Sequence, residues 1–253
     1  MLGEITNHDW EGEIKGQGSK VHIRVRPDIV VGDYVVDGGI NYQDLQDDKI
    51  ELVIDRAKYM AWKIDDVDRA QQDINAMNEA TQDGAEQMKI HIDTDVLGTV
   101  YADAGSQPAE TQITKTSVLD WIVDLGTQLD ELNVPTTGRY LVLPPWICGM
   151  IKKSDLKDAS LAGDGTSILR NGRVGMIDRF TIYMSNLLAG GTTQANPTHC
   201  LAGTRHAITF ASQFVKTETL RLQNQFGDAA RTLKVYGFKV VKPEALIDAR
   251  AYK

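Results

Sequence analysis

Acidic residues and a histidine at close spacing are the first groups in this chain that could bind a metal ion. His91, Asp93 and Asp95 form a His-x-Asp-x-Asp string, a pattern that some hydrolases place around a metal. Residues two apart on a helix do not share a face, so these three side chains would not converge on one ion. We interpret the string as part of a solvated helix face.

A cluster of four aspartates lies upstream of that string, and it consists of Asp65, Asp66, Asp68 and Asp73. Hard cations require several oxygen ligands, so a metal site is one interpretation of the cluster. Acids are also favoured at a helix start, because the helix dipole presents partial positive charge there. Capping is the favoured interpretation, with Asp65 and Asp66 as the N-cap and the first-turn acid.

His199, Cys200 and His206 carry the ligand atoms that zinc prefers. Their spacing fits no zinc pattern, and a buried strand accounts equally well for the cysteine. The other cysteine, Cys148, is distant, so neither a zinc ribbon nor a disulfide framework is indicated. We expect two reduced thiols.

Motifs for nucleotide binding and for nucleophilic catalysis are incomplete. The glycine-rich run Gly163 to Ser167 lacks the lysine of a phosphate-binding loop, so we predict a surface loop. No Gly-x-Ser-x-Gly motif is present. The sequence therefore predicts no catalytic, cofactor-binding or metal-binding residue, although a hydrolase whose residues converge only in space stays open as an alternative.

The composition is that of a folded protein with an acidic surface. The chain has 253 residues, 42% of them hydrophobic and 25% charged, and its formal net charge is -8. Proteins that grip phosphates usually carry a basic excess, so a nucleic-acid reader is disfavoured. No apolar run reaches the eighteen or so residues of a membrane span, and the polar start is unlike a signal peptide, so we expect synthesis in a cytoplasm.

Residues 11–62 are predicted to be an extended arm. Alternating apolar residues indicate strands around Val21–Arg26, Ile29–Val36 and Ile50–Asp55, with a polar tip at Asn41–Lys49. The arm has too little apolar mass to form its own core. Because isolated hairpins are marginally stable in water, we expect it to lie on another surface.

The next region changes to a helical period. Apolar residues three or four apart predict a helix from Asp66 to Ala102, with Gly84 at a bend or close contact. At about 1.5 Å per residue this helix would be roughly 55 Å long, more than a compact domain needs. A second helix is predicted at Ser117–Leu132, where Ser117 and Asp120 resemble a capping box.

The remainder mixes strands with one short helix. Strands are predicted at Tyr140–Leu143, Ile177–Ser185, His199–Leu201, Ala207–Ala211, Thr217–Leu222 and Leu233–Val241, and a helix at 146–157 before a glycine-rich loop at 158–175. Separated strands around long helices favour an α+β fold.

Five segments together resemble the major capsid proteins of tailed phages, which have the Hong Kong 97-type fold. They are WEGEIKGQGSKVHIRVRPDIVVGDY, LVIDRAKYMAWKIDDVDRAQQD, NVPTTGRYLVLPPW, MIDRFTIYMSN and QNQFGDAARTLKVYGFKVVKPEAL, and the last is the most specific. The resemblance covers nearly the whole chain. It implies a short N-terminal arm at 1–10, an extended loop at 11–64, a peripheral domain with a spine helix at 65–134, an axial domain at 135–213 and returning strands at 214–253.

The resemblance implies a structural function without catalysis. Subunits of this family form hexamers and pentamers of an icosahedral head around double-stranded DNA, with scaffolding, portal and decoration proteins as further partners. The expected contact residues between subunits are Arg24, Arg26, Tyr42, Asp44, Asp47, Asp48, Lys49, Asp164 and Arg170. The related alternatives are an encapsulin-like compartment, which shares the fold, and a tail or head-completion protein that forms a single ring.

Overall fold

A computed structural model describes residues 1–10, 20–24, 33, 49–65, 76–154, 175–223 and 226–253. Several predictions fall outside these residues. They concern the strand at Ile29–Val36, the acids Asp66, Asp68 and Asp73, the glycine-rich loop up to residue 174, and the contact residues Arg26, Tyr42, Asp44, Asp47, Asp48, Asp164 and Arg170.

The described residues form a mixed helix and strand fold. The helices are α1 (Leu2–Ile5), α2 (Ala76–Leu97), α3 (Val118–Glu131) and α4 (Pro145–Lys153), with 3₁₀ turns at Val100–Asp103 and Pro243–Ala245. The strands are β1 (Lys20–Arg24), β2 (Lys49–Val53), β3 (Arg56–Asp65), β4 (Thr111–Gln112), β5 (Arg139–Leu143), β6 (Met176–Ile177), β7 (Phe180–Met184), β8 (Thr198–Thr204), β9 (Ile208–Arg221), β10 (Gly227–Val240) and β11 (Leu246–Tyr252).

These strands form three sheets. β1 and β2 make an antiparallel pair, β3, β10 and β9 make an antiparallel sheet in that order, and the third sheet has the order β4-β11-β8-β5-β7-β6. The third sheet takes β4 and β11 from outside residues 135–213, so distant parts of the chain meet there. The α+β prediction is confirmed by this arrangement.

The base of the predicted arm lies on the chain's own sheet. Val21, Ile23, Leu52 and Ile54 are buried in a small cluster with Ala211 of β9 and Val235 of β10, separate from the main core. Gly237 of β10 comes so close to β2 that a Cβ there would lie 2.3 Å from the carbonyl oxygen of Val53. The first strand pair therefore has its own support within the monomer.

Helix α2 is the described part of the predicted long helix. It ends at Leu97, earlier than the predicted Ala102, and a separate 3₁₀ turn follows at Val100–Asp103. Gly84 is a close-contact position as predicted, because a Cβ there would lie 2.8 Å from the sulfur of Met60 on β3. Helix α2 thus packs directly against the three-stranded sheet.

The capping prediction for α3 was wrong in its residues. Ser117 makes no side-chain hydrogen bond to its own helix. Instead the backbone N–H of Thr114 donates to Ser117 Oγ at 3.0 Å, and the N–H of Ser117 donates to Thr114 Oγ1 at 3.2 Å. This reciprocal pair is a capping box that begins three residues earlier, so Thr114 performs the role assigned to Ser117.

The prediction of a solvated helix face at Asp93 and Asp95 was also wrong. Asp93 is only 8% exposed, and Asp95 accepts hydrogen bonds from Tyr236 Oη at 2.5 Å and Arg56 Nη1 at 2.7 Å. Burial alone would raise the pKa of Asp95, but the hydrogen bonds from Tyr236 and Arg56 hold it below its ordinary value. Asp95 therefore ties α2 to β10 and β3.

Acidification is expected to weaken the protein as Asp95 becomes protonated. A carboxyl whose folded pKa is lowered stabilises the fold above its unfolded pKa, and that stability is lost as the pH falls below about 4. Asp95→Asn should lower the free energy of unfolding at pH 7 by about 1–3 kcal/mol and flatten its pH dependence below pH 4. Denaturant titrations at several pH values test this. Asp83→Asn, at an exposed position of α2, is the control, and equal pH profiles for Asp95→Asn and wild type would contradict the assignment.

The third sheet contains a buried arginine. Arg139 opens β5 with 1% exposure, and its guanidinium donates to the carbonyl oxygens of Val134, Pro135 and Gly126 and pairs with Asp130 at 2.7 Å. Arg179 reaches the same carboxylate at 2.9 Å. Hydrogen bonds from Arg139 and then Arg179 hold the pKa of Asp130 below its ordinary value.

The strand predicted at Ile177–Ser185 is two strands joined by a tight turn. Asp178 and Arg179 have φ angles of 43° and 65° and separate β6 from β7. Two successive residues with positive φ are the geometry of a type I′ hairpin turn, which the sequence pattern did not indicate. The prediction for β5 is confirmed, and Cys200 is buried in β8 as expected.

Candidate assembly surface

The sheet of β3, β10 and β9 has one face covered by the protein. Met60 of β3 packs against α2 at Gly84, and Thr232 of β10 is 7% exposed. Because side chains alternate along a strand, the neighbours of these residues point to the other face. The strand pair β1–β2 covers one end of that second face at Val235, and the rest of it, around Tyr59, is available to another molecule.

We define the open face by seven residues of this sheet, which are Tyr59, Ala61, Lys63, Lys216, Glu218, Arg231 and Leu233. Tyr59 is 79% exposed, which is unusual for a large ring, and it lies beside Leu233 in the strand register. Together with Ala61 these residues line a shallow groove of about 460 Å³. The open face thus offers apolar contact area to a partner.

The charges on the open face are mainly positive. At the centre of the open face, two cationic residues, Lys216 and Arg231, accompany one acid, Glu218, which gives this cluster a net charge of +1. Glu218 is bonded by Lys216 and lies 2.8 Å from Arg231 Nε. Hydrogen bonds from Lys216 and then Arg231 hold the pKa of Glu218 below its ordinary value. A partner segment with acidic residues would complement this face.

The described part of the arm places two of the predicted contact residues. Arg24 and Lys49 are Cα partners at the end of the β1–β2 pair, and Lys49 is exposed. One ion pair of this arm base joins Lys20 to Glu51 at 2.8 Å, and the hydrogen bond from Lys20 lowers the pKa of Glu51. Whether Arg24 and Lys49 contact another subunit stays a prediction.

Among the described residues, the side chains considered for metal chemistry are not brought together. No group of three or more His, Cys, Asp or Glu side chains in the described part of the chain could hold a metal ion. His199 instead pairs with Asp248, and His206 is exposed. Among the described residues, no helix is long and apolar enough to cross a membrane.

An open sheet face with exposed apolar side chains is a surface suited to contact with another molecule. The chain matches the model of the phage capsid protein family over residues 50–249, and it therefore belongs to that family. A comparison with curated proteins gives no match.

Solved structures agree with the family. The chain is similar to a structure from Mycobacterium phage Che8, with 27% identity, a TM-score of 0.80, and coverage of 99% of this chain and 90% of that chain. The capsid of the cyanophage P-SCSP1u gives 14% identity, a TM-score of 0.80 and coverage of 100% and 88%. The capsid of a native GTA particle gives 12% identity, a TM-score of 0.71 and coverage of 100% and 90%. Because the cyanophage and GTA capsids are less than 25% identical to this chain, their similarity shows the fold alone.

The resemblance found in the sequence is thus confirmed. The chain is a structural major capsid protein with the Hong Kong 97-type α+β fold, and it forms the oligomeric shell of the virion. The family and its capsid structures indicate a structural protein and no enzyme, so the hydrolase alternative is set aside. The sequence did not identify the open face. Identifying it requires knowing which face of the three-stranded sheet is covered by α2.

Proposed function

We propose that this chain assembles as hexamers and pentamers into an icosahedral head that encloses double-stranded DNA, with the arm of one subunit lying on the open face of the next. The capsid family and the capsid structures support the shell. The observation that carries the arm contact is the apolar, positively charged face of β3, β9 and β10.

The tip of the arm has the composition that this face would bind. Residues 41–48 contain the acids Asp44, Asp47 and Asp48, no cation, and two apolar side chains, Tyr42 and Leu45. The carboxylates complement the net charge of the open face, and the apolar side chains complement its groove. Each exposed ion pair adds little by itself, but a closed shell repeats the contact in every subunit.

The remaining predicted contacts and partners belong to the same proposal. Arg24, Arg26 and Lys49 would contact the neighbouring subunit from the stem of the arm, and Asp164 and Arg170 from the glycine-rich loop. Contact with packaged DNA would be non-specific, in keeping with the net charge of -8. Scaffolding, portal and decoration proteins would bind other surfaces of the shell. The axial region, 135–213, would lie at the centre of each ring, with 65–134 and 214–253 at its rim.

A charge exchange tests the arm contact. Lys216→Glu with Arg231→Glu reverses the charge of the open face and should reduce the yield of shells by about 10-fold or more. Asp47→Lys with Asp48→Lys reverses the charge of the arm tip and should reduce the yield by a similar factor. Combining all four substitutions restores opposite charges and should recover shells. Electron microscopy with light scattering measures the yield, and thermal melts confirm that each variant folds.

The combined variant is the internal control, because it carries every substitution that the two defective variants carry. Normal yield from the face variant alone would show that this face does not bind an acidic segment. Failure of the combined variant, when it melts like the wild type, would show that the arm tip and the open face are not partners. Nuclease-protected DNA inside recovered shells would distinguish a phage head from an empty or cargo-filled compartment.

A further inference from the structure

An open groove lies between α1, α2 and the face of the three-stranded sheet that α2 covers. Its volume is about 470 Å³, and most of the side chains that line it are apolar. They include Leu2, Met60, Ala85, Met88, Ile92 and Phe214. Phe214 of β9 is 61% exposed, so one aromatic wall of the groove faces solvent. Helix α2 therefore leaves part of this sheet face uncovered.

The side chains of the groove suit an aromatic ring. Met60 approaches it from β3 and Met88 from α2. Methionine side chains are flexible, and their sulfur atoms make favourable contacts with aromatic rings. The ammonium of Lys234 lies 4.9 Å from the centroid of the Phe214 ring, which fixes that wall of the groove. The groove thus offers two adaptable side chains and one positioned ring to an incoming aromatic group.

The hairpin of β9 and β10 ends in an exposed aromatic side chain. Phe226 is 80% exposed, the highest value among the large apolar side chains that the structure describes. Behind it, the N–H of Leu222 donates to Gly227 O at 3.0 Å, and Arg221 pairs with Asp228 at 3.2 Å. These contacts hold the base of the turn in place, so little ordering is needed when Phe226 binds.

Phe226 cannot enter the groove of its own chain. The groove contacts β9 at Phe214, seven residues before that strand ends at Arg221. At about 3.3 Å per residue, this separation along the hairpin is roughly 23 Å. A Phe226 side chain that fills the groove must therefore come from another copy of the chain.

The size of the groove favours a copy of this chain over an unrelated partner. One aromatic side chain buries about 150–250 Å², whereas a stable complex of two free proteins buries about 800 Å² on each partner. A partner that binds here must therefore be held in place by other contacts as well. The other subunits of the shell are held in that way, and each of them carries Phe226.

We propose that Phe226 of one subunit enters the groove of a neighbouring subunit, so that each subunit of the shell gives one aromatic side chain and receives one. The contact joins two different surfaces of the chain, which is the heterologous arrangement that can close into rings. It removes Phe226 and Phe214 from solvent together. It lies on the opposite side of the sheet from the open face, so it requires the shell but does not require the arm contact.

A pair of substitutions and their combination tests the contact. Phe226→Ala removes an aromatic anchor from every subunit and should lower the yield of shells by about 10-fold. Ala85→Trp fills the groove and should lower the yield by a similar factor. A chain with both substitutions should be no worse than either single variant, because both remove the same contact. Electron microscopy with light scattering measures the yield, and thermal melts confirm that each variant folds.

Ile90→Trp is the matched control for Ala85→Trp, because Ile90 is 42% exposed on α2 and does not line the groove. This variant should assemble like the wild type. Normal yield from Phe226→Ala would overturn the proposal. A combined variant whose loss equals the product of the two single losses would overturn it as well, because the two residues would then act in separate contacts.

Cross-linking between two variants detects the contact directly. One chain carries Gln223→Cys beside Phe226, and the other carries Lys89→Cys at the rim of the groove. A short bismaleimide should join these chains about 5-fold more often than when Gln87→Cys, at an exposed position of α2 outside the groove, replaces Lys89→Cys. The two native thiols are buried and should not compete for the reagent.

The cross-linked product is measured separately in small assemblies and in closed particles, so a failure of the head to close is distinguished from a failure of this contact. Adding Phe226→Ala to the chain with Gln223→Cys should reduce the product to the level of the Gln87→Cys control. Equal amounts of product from Lys89→Cys and Gln87→Cys would overturn the proposal.

Discussion

A chain that lacks residues 38–48 is expected to fold normally and to form no closed shell. The strand pair β1–β2 is anchored through Val21, Ile23 and Leu52, and the deletion removes none of the described residues that anchor the arm base. It does remove the acidic tip proposed to bind the next subunit. Shell yield should fall below detection because every subunit loses the same contact.

Thermal melts and electron microscopy of the same preparation measure folding and assembly separately. A replacement of residues 38–48 by glycine and serine of equal length should fail in the same way, because it restores the length but not the chemistry. Asn41→Ser with Gln43→Ser keeps all three acids and should assemble normally. Normal shells from the deleted chain would contradict the role given to the arm.

Arg139→Ala is expected to lower the free energy of unfolding by about 3–5 kcal/mol. The substitution leaves three backbone carbonyls without their donor and removes a side chain that is 1% exposed. Unpartnered buried polar groups retain their full desolvation cost, so little of the loss is recovered by relaxation. Denaturant unfolding at pH 7 measures the change.

Arg179→Ala is the matched control for Arg139→Ala, because both arginines bond the same carboxylate of Asp130. The side chain of Arg179 is 44% exposed, so water replaces its contacts at little cost. The free energy of unfolding of Arg179→Ala should stay close to that of the wild type. Similar losses from both variants would mean that the ion pair, and not the carbonyl contacts of Arg139, holds this part of the fold.

The elements of this fold could be predicted where local periodicity decides them. The apolar stripe of α3 and the uniformly apolar run of β5 each matched the structure within about one residue. The turn at Asp178 and Arg179 was missed, because positive φ at two residues without glycine or asparagine leaves a weak local signal. The end of α2 was placed too late, since the apolar pattern continues into the 3₁₀ turn.

The functional surface could be predicted only in part. The sequence identified the arm, its acidic tip and the capsid resemblance. It could not identify the face that the arm would bind, because that depends on the pairing of β3 with β10 across more than 160 positions. Asp95 was assigned to solvent for the same reason, since its partners Tyr236 and Arg56 come from distant strands.

The central claim is that this chain builds a closed shell from copies of itself, and electron microscopy of the purified protein with light scattering on the same sample tests it most directly. We predict uniform closed particles of many copies. A population that stays monomeric or dimeric, even when a scaffolding protein from the same phage is supplied, would contradict the claim.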